Sequence, residues 1–189
     1  MKSHKNIKMV LERKSFKGFI EAMNYHVDIK EWSEVGGVYN IARKILKHFE
    51  PELIMDVGCG KRPTLATIMA LNYKVKVVAI DPQLDNSYAA QIQRLSLNRE
   101  ILLDYIKTMK KQESVLIVAN HSHAPKSEIT LLLSKVKNWV YITVPCCVDN
   151  KLSNETSIYY KDLHMHSEKN DVFIFSKDKT ILAKMIKDK

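Results

Sequence analysis

The stretch L-I-M-D-V-G-C-G-K at residues 53–61 decides the fold class of this chain. Its apolar first half is typical of a buried parallel strand, and Asp56 stands near the end of that strand. Gly58 and Gly60 follow, and a turn of glycines lets a ligand lie against bare backbone because no Cβ blocks its approach. The stretch therefore predicts a strand that ends in a tight turn beside a nucleotide-like ligand.

The residues that follow extend this motif into a strand–helix–strand unit. Pro63 occupies the position of a first helical residue, ahead of a predicted helix at residues 64–71. A second apolar run covers residues 75–80 and ends in Asp81, which lies about twenty residues past the glycines. A carboxylate at that strand end could accept hydrogen bonds from two ribose hydroxyls. The unit therefore predicts an α/β fold with a nucleoside at the carboxyl ends of its strands.

The two motifs together resemble those of a known family. D-V-G-C-G-K followed by V-V-A-I-D-P resembles the first two motifs of the S-adenosylmethionine (SAM)-dependent methyltransferases of the Rossmann-like class. The dinucleotide fingerprint differs, since Pro63 replaces its third glycine. The resemblance implies an α/β fold with a mostly parallel seven-stranded sheet and helices on both faces, SAM as the cofactor, and an enzyme that transfers methyl groups. It implies that the following residues hold SAM: Asp56, Gly58, Cys59, Gly60, Lys61, Asp81, Pro82 and Asn120.

The composition indicates a globular protein. The chain has 189 residues, of which 46% are hydrophobic and 27% charged, and this suits one α/β domain rather than a disordered segment. Three cysteines, two of them adjacent, form no disulfide framework, which favours a reducing compartment. No apolar run has the length of a membrane helix, and the lysine-rich start lacks the apolar segment of a signal peptide. We therefore expect a cytoplasmic protein that does not bind membranes.

The charge balance is basic, with 30 Lys and Arg against 21 Asp and Glu and a formal net charge of +9. Such a surplus is typical of proteins that bind a polyanion, because each neutralised phosphate releases counterions. A solvated lysine-rich surface would have the same composition. The surplus favours a nucleic acid, RNA in particular, as the partner, and it leaves the oligomeric state open.

The chain is predicted to divide at Gly36 and Gly37. Residues 1–36 carry scattered charge and apolar residues at helical spacing, which predicts an N-terminal helical extension that the two glycines break. Residues 37–189 contain no internal repeat and no low-complexity linker. They are predicted to form a single methyltransferase domain.

An apolar stripe at helical spacing runs from Val38 to Phe49 and predicts a helix packed on the sheet. The loop before this helix, through Trp32 and Gly37, is expected to lie near the ligand. Trp32 would either stack on a substrate base or anchor the N-terminal segment in the core.

The remaining elements follow from apolar runs and their period. Strands are predicted at residues 94–97, 114–119 and 139–144, and helices at residues 88–93, 99–110 and from Ser127. Residues 157–163 are predicted to form a short helix. Residues 172–176 and 180–186 would form a closing antiparallel hairpin, and a terminal helix from Thr180 is the competing prediction.

Two imidazoles and two thiols converge at the carboxyl edge of the predicted sheet. Strand four ends in Asn120, His121 and His123, and strand five, its expected neighbour, is followed by Cys146 and Cys147. We expect Asn120 and the two histidines to face the methyl acceptor, with one imidazole as the general base. The two cysteines are candidates for contacts with the substrate.

Other interpretations of this group stay open. A cysteine could attack a pyrimidine so that the neighbouring carbon is methylated, but the cytosine-5 methyltransferases of RNA also carry a Pro-Cys after strand four, which is absent here. The His-x-His and Cys-Cys pairs could bind zinc, but their spacing matches no recognised zinc module, and we predict no metal site. The four side chains could also be purely structural.

The motifs V-A-N-H-S-H-A-P and V-P-C-C are similar to those of one branch of the superfamily, the tRNA 2′-O-methyltransferases and the methyltransferase-like 25 proteins. That branch has a His, a small residue and Cys-Gly where this chain has His121, Ser122 and His123. The resemblance implies that His121 lies near the acceptor and that RNA is the substrate. The cofactor motifs alone also suit a SAM-binding module without transfer activity, or a lyase or hydrolase that consumes SAM.

Overall fold

The computed structural model describes residues 28–85, 92–146, 152, 157–165 and 170–187. This part of the chain contains five helices and seven strands. The helices are α1 (Ile29–Ile45), α2 (Thr64–Asn72), α3 (Leu102–Thr108), α4 (Lys126–Ser134) and α5 (Lys179–Lys187). The strands are β1 (Leu53–Val57), β2 (Lys76–Ile80), β3 (Leu95–Asn98), β4 (Gln112–Asn120), β5 (Val136–Val144), β6 (Ser157–Lys161) and β7 (Asp171–Ser176).

The strands form one sheet in the order β3-β2-β1-β4-β5-β7-β6. Strands β3, β2, β1, β4 and β5 pair in parallel, whereas β7 runs antiparallel to both β5 and β6. The sheet is therefore mixed: its first five strands are parallel, as predicted for most of the sheet, and its last two strands are antiparallel to their neighbours. Strand β1 has β2 on one side and β4 on the other, so the carboxyl ends of these strands surround one crevice, where ligands of open α/β sheets bind.

Helices cover both faces of the sheet, because successive side chains of a strand point to opposite faces. In β1, Ile54 packs in one core cluster with side chains of α1, α2 and α5. Leu53, Met55 and Val57 pack in the other cluster with side chains of α3 and α4. All five residues of β1 are buried. This double coverage is the reason that the strands are near-continuous apolar runs in the sequence.

Helix α1 continues through Gly36 and Gly37, both of which are buried. The predicted break at these glycines is therefore wrong, and so is the predicted loop through Trp32. A glycine in a helix interior costs about 1 kcal/mol relative to alanine, but burial of apolar neighbours such as Val38 stabilises the helix by more than that. The predicted boundary between residues 36 and 37 falls inside α1, and residues 1–27 of the predicted extension lie outside the described part of the chain.

The end of the chain differs from its prediction in two elements. The predicted helix at residues 157–163 is the edge strand β6, and the closing hairpin is β6–β7 instead of a pair that includes residues 180–186. Those last residues form α5, the competing prediction, and Asp178 caps it by accepting the Thr180 backbone N–H at 2.8 Å. Burial of Ile181 and Leu182 holds α5 on the sheet. Pairing with β7 decides the conformation of β6, whose side chains are largely exposed.

The other predicted elements are present, with ends shifted by a few residues. Strands β3, β4 and β5 and helices α2 and α3 lie where the sequence predicts them. Helix α4 follows Pro125, so Ser127 lies inside this helix and does not cap it. Most of the helix predicted at residues 88–93 lies outside the described residues. Among the helices that the structure describes, none has the length and apolar character that crossing a membrane requires.

Candidate active site

The turn between β1 and α2 is bound to the end of β2. Gly58 and Gly60 have positive φ angles of 68° and 72°, in the left-handed region that favours glycine. The Gly58 N–H donates to the Ile80 carbonyl at 2.8 Å. The Gly60 N–H donates to Asp81 Oδ2 at 2.9 Å. The first glycine turn and the acidic residue predicted to bind ribose therefore form one unit.

The space that a Cβ would occupy differs between Gly58 and Gly60. A Cβ on Gly58 would lie 2.2 Å from the hydroxyl oxygen and 2.8 Å from the Cβ of Ser122, which is fully buried. A Cβ on Gly60 would meet no described atom within 4 Å. The absence of a Cβ therefore makes room for Ser122 at Gly58 and leaves open space at Gly60.

Asp56 is buried and holds the start of α2. Its Oδ2 accepts the backbone N–H of Ala66, in the first turn of that helix, at 3.0 Å. The pKa of Asp56 is raised to about 7, chiefly because the carboxyl group is buried; the Ala66 N–H opposes this rise and the negative charge of Asp81 adds to it. Burial and the same two carboxylates raise the pKa of the Cys59 thiol far above its ordinary value. Cys59 therefore stays a thiol and contributes packing to the turn.

Two backbone N–H groups hold the Asp81 carboxylate in place for ligand binding. Its Oδ1 accepts the Gln83 N–H at 2.7 Å, and its Oδ2 accepts the Gly60 N–H. A carboxylate has about four acceptor positions, so each oxygen keeps one for a ribose hydroxyl.

Two cavities open at the carboxyl ends of the strands. The first, of about 350 Å³, is lined among others by Glu31, Asp56, Gly60, Lys61, Asn120 and His121. The second, of about 270 Å³, is lined among others by Asp81, Pro82, Ile101, His123, Pro125 and Glu128. Gly58 lines both. Together they form one candidate site that extends to both sides of the glycine turn.

The end of β4 supplies two polar groups to the first cavity. The Asn120 side-chain oxygen is buried and has no hydrogen-bond partner among the described residues. His121 has a left-handed φ of 53°, and its N–H donates to the Val144 carbonyl at the end of β5 at 2.9 Å. His121 Nε2 lies 3.2 Å from Glu34 Oε1. An unpaired acceptor and an imidazole therefore stand side by side at the cavity.

Helix α1 forms one wall of the first cavity through residues that the sequence analysis missed. Glu31 and Val35 line it, and Glu31 Oε1 accepts the Thr64 hydroxyl at 2.7 Å. Glu34, also on α1, is the partner of His121. Their signal in the sequence is two acidic residues three positions apart, in a segment that was expected near the ligand but was assigned to a loop.

Comparison with known proteins identifies the fold. No family model and no curated protein matches this chain. A mutant of MtNAS in complex with S-adenosylmethionine has a similar structure, with a TM-score of 0.55, 10% identity, and coverage of 93% of this chain and 72% of that one. The chain has the Rossmann-like methyltransferase fold.

Two further solved structures share this fold. The magnesium protoporphyrin IX methyltransferase (ChlM) from Synechocystis PCC 6803 with bound SAM aligns with a TM-score of 0.50 and 12% identity, over 92% of this chain and 97% of that one. A methyltransferase from Geobacter sulfurreducens aligns with a TM-score of 0.51 and 13% identity, over 91% of this chain and 88% of that one. At such identities the likeness concerns the fold alone.

Two residues that the sequence predicted at the site, Trp32 and His123, lie elsewhere than expected. Trp32 is 2% exposed and packs in the core, so the prediction of base stacking is corrected in favour of the anchoring role. His123 lines the second cavity, beside Asp81, and not the first, with His121. The two histidines therefore do not face one acceptor together.

Of the two cysteines after β5, the structure describes Cys146, which does not line either cavity. Cys146 is half-buried. Cys147 lies outside the described residues. No group of three or more His, Cys, Asp or Glu side chains within the described ranges could hold a metal ion.

Proposed function

We propose that the protein is a SAM-dependent methyltransferase. The observation that carries the proposal is the pair of cavities that share Gly58, with Asp81 on one side of the turn and Asn120 and His121 on the other. The two cavities can hold a nucleoside in one half of the site and an amino acid in the other. Its position at the switch point of the sheet is where this class of fold binds ligands.

The residues present fit SAM. In the second cavity, Asp81 has acceptor positions free for the ribose hydroxyls, and Ile101 and Pro125 offer apolar surface to a base. In the first cavity, Lys61 suits a carboxylate and Glu31 suits an ammonium group. The bare backbone at Gly60 leaves room for the atoms of SAM that connect its nucleoside to its amino acid group. When bound, SAM supplies a methyl group on a sulfonium that is already activated.

The acceptor is proposed to lie at Asn120 and His121. The unpaired Asn120 oxygen can accept a hydrogen bond from a hydroxyl or amine of the acceptor, and His121 can take its proton. Since the methyl donor is activated, orientation and one proton acceptor suffice for the chemistry. Removal of a general base costs about 10²–10⁴ in rate.

RNA is the acceptor that we propose. Its support is the formal net charge of +9, together with Lys61 and Arg62 at the edge of the first cavity. An RNA acceptor agrees with the expectation of a cytoplasmic protein. Either the ribose hydroxyl or a base amine would meet the chemical requirement at Asn120 and His121.

Calorimetry with SAM and S-adenosylhomocysteine tests the cofactor site. We expect both to bind, and we expect Asp81→Ala to weaken binding by about tenfold to a hundredfold, since a hydrogen bond to a charged group contributes about 1.5–3 kcal/mol. Asp104→Ala is the matched control, because Asp104 is exposed on α3 and pairs with Lys107 away from both cavities. Absence of binding to the wild-type protein would refute the proposal.

Transfer of a tritiated methyl group from SAM tests the reaction and the acceptor. Total RNA, protein and small-molecule extracts are incubated separately with the protein, and the products of SAM are identified by mass spectrometry. We expect label in RNA, formation of S-adenosylhomocysteine, and loss of both with His121→Ala while SAM binding persists. Label in another fraction would overturn RNA as the acceptor, and breakdown of SAM without any acceptor would indicate a lyase or hydrolase.

A further inference from the structure

Glu34 and His121 form a buried pair beside the first cavity. The two side chains are only 10% and 20% exposed, with 3.2 Å between Glu34 Oε1 and His121 Nε2. The two atoms are in contact, but the ring N–H is not aligned for a hydrogen bond. Hydrogen bonds between catalytic groups commonly align only in the liganded state.

The backbone of His121 is held in the conformation that aims its ring at α1. A left-handed φ costs a non-glycine residue about 1–2 kcal/mol, so its surroundings must impose it. The N–H of His121 is fixed by the Val144 carbonyl, and the next residue, Ser122, is wedged against Gly58. A strained backbone held from two sides is a feature of functional loops rather than of ordinary strand ends.

Glu34 has no evident role in stabilising the fold by itself. A carboxylate within a buried helix face is unfavourable unless it is paired, and a hydrophobic residue would pack there at lower cost. Its neighbour Glu31, three residues earlier on α1, instead bonds the Thr64 hydroxyl. The chain therefore places a buried charge against one imidazole that lines the candidate acceptor site.

We propose that Glu34 is a positioning residue that fixes the orientation and the tautomer of His121. The inference rests on the proposed methyl transfer. With Nε2–H directed to Glu34, the lone pair of the neutral ring is on Nδ1, the nitrogen left for the cavity. The carboxylate also stabilises the imidazolium that forms once the ring has taken a proton.

Methyl transfer to the acceptor moves one proton and one positive charge to the imidazole. The acceptor's proton moves to Nδ1 of His121, and the acceptor's lone pair forms the bond to the methyl carbon. The electron pair of the broken carbon–sulfur bond stays on sulfur, which becomes neutral. The positive charge is thereby transferred to the imidazole, where Glu34 faces it.

Proton-detected NMR on protein labelled with ¹⁵N-histidine tests the pair without any turnover. We expect a His121 Nε2–H signal that is protected from water exchange in the wild-type protein saturated with S-adenosylhomocysteine, and its loss in Glu34→Ala. Glu34→Gln should keep the signal, because the amide oxygen still accepts the N–H. Asp104→Ala is the control for the signal, because Asp104 is exposed on α3 and lines neither cavity. His121→Gln assigns the signal.

Measurement of turnover in two variants of Glu34 separates the effect of its charge from its effect on the orientation of His121. With the fraction that accepts methyl groups, we expect kcat to fall about a hundredfold in Glu34→Ala and about tenfold in Glu34→Gln, within the range that general-base catalysis contributes. KM for the acceptor and the dissociation constant of SAM should stay unchanged. Thermal melting establishes that each variant is folded.

The outcomes distinguish this inference from the proposed function. A His121 proton on Nδ1, or a Nε2–H signal that survives Glu34→Ala, overturns the role of Glu34 even if SAM binds and methyl groups are transferred. An unchanged kcat in Glu34→Ala also overturns it. Absence of SAM binding in the wild-type protein refutes the methyltransferase proposal instead, whatever the NMR signal shows.

Discussion

The contact between Gly58 and Ser122 makes the strongest prediction for stability. Gly58→Ala introduces a methyl group 2.2 Å from the Ser122 hydroxyl oxygen and 3.0 Å from its Cα. Gly60→Ala introduces the same group two residues later, at nearly the same φ, where no described atom lies within 4 Å. The two variants therefore share the backbone penalty and differ only in the steric one.

The magnitude follows from these two terms. Moving a non-glycine residue into the left-handed region costs about 1–2 kcal/mol at either position. Overpacking against the buried Ser122 adds about 1–3 kcal/mol at Gly58 alone. We expect Gly60→Ala to lower the free energy of unfolding by about 1–2 kcal/mol and Gly58→Ala to lower it by about 2–5 kcal/mol. For a chain of this size, 1 kcal/mol corresponds to about 2–4 °C in Tm.

Urea unfolding monitored by circular dichroism measures both changes. A double-mutant cycle with Ser122→Gly isolates the clash, because that substitution removes the two closest atoms, Oγ and Cβ. We expect Gly58→Ala to be milder in the Ser122→Gly background by about 1–2 kcal/mol. Equal losses for Gly58→Ala and Gly60→Ala, or a cycle without coupling, would refute the assignment of Gly58 to packing against the β4–α4 loop.

Three further expectations concern single side chains. Because burial raises the pKa of Asp56 from 3.8 to about 7, the folded state holds a proton that the unfolded chain releases, and the stability contributed by this group is present at low pH and lost as the pH rises through 7. Urea unfolding should show the wild type losing about 1.4 kcal/mol per pH unit relative to Asp56→Asn between about pH 4 and 7, and a difference independent of pH would contradict the buried carboxyl. Trp32→Ala should lower the free energy of unfolding by about 3–5 kcal/mol while calorimetry finds SAM affinity unchanged, since the side chain is in the core; weakened binding in a folded variant would restore Trp32 to the site. The raised pKa of Cys59 predicts that iodoacetamide leaves this thiol unmodified in the folded protein and alkylates it in urea, as read by peptide mass spectrometry; rapid alkylation of the folded protein would argue against the raised pKa.

Short local motifs in the sequence predicted most of the elements of the fold. The apolar runs before Asp56 and Asp81 predicted β1 and β2, because strands covered on both faces need apolar side chains at every position. Proline before residue 64 predicted the start of α2. These signals are short in sequence and depend on backbone chemistry that each segment carries itself.

The errors arose where distant contacts outweigh local preference. Two glycines favour a break, yet α1 continues through them because its buried face packs on the sheet. Residues 157–163 satisfy a helical pattern as well as an extended one, and hydrogen bonds to β7 decide for a strand. In both cases the deciding partner lies elsewhere in the chain, so no local pattern can reveal it.

The sequence by itself determined the fold class and the residues at the ends of β1, β2 and β4, because parallel strands bring their carboxyl ends to one edge of a sheet. Only the tertiary structure decided how those residues are used. It set Ser122 against Gly58, put His123 in a different cavity from His121, and brought Glu34 to the imidazole from a helix far upstream. The physical reason is that side-chain partners depend on the packing of whole elements across the sheet, which is fixed by the burial of all of them together.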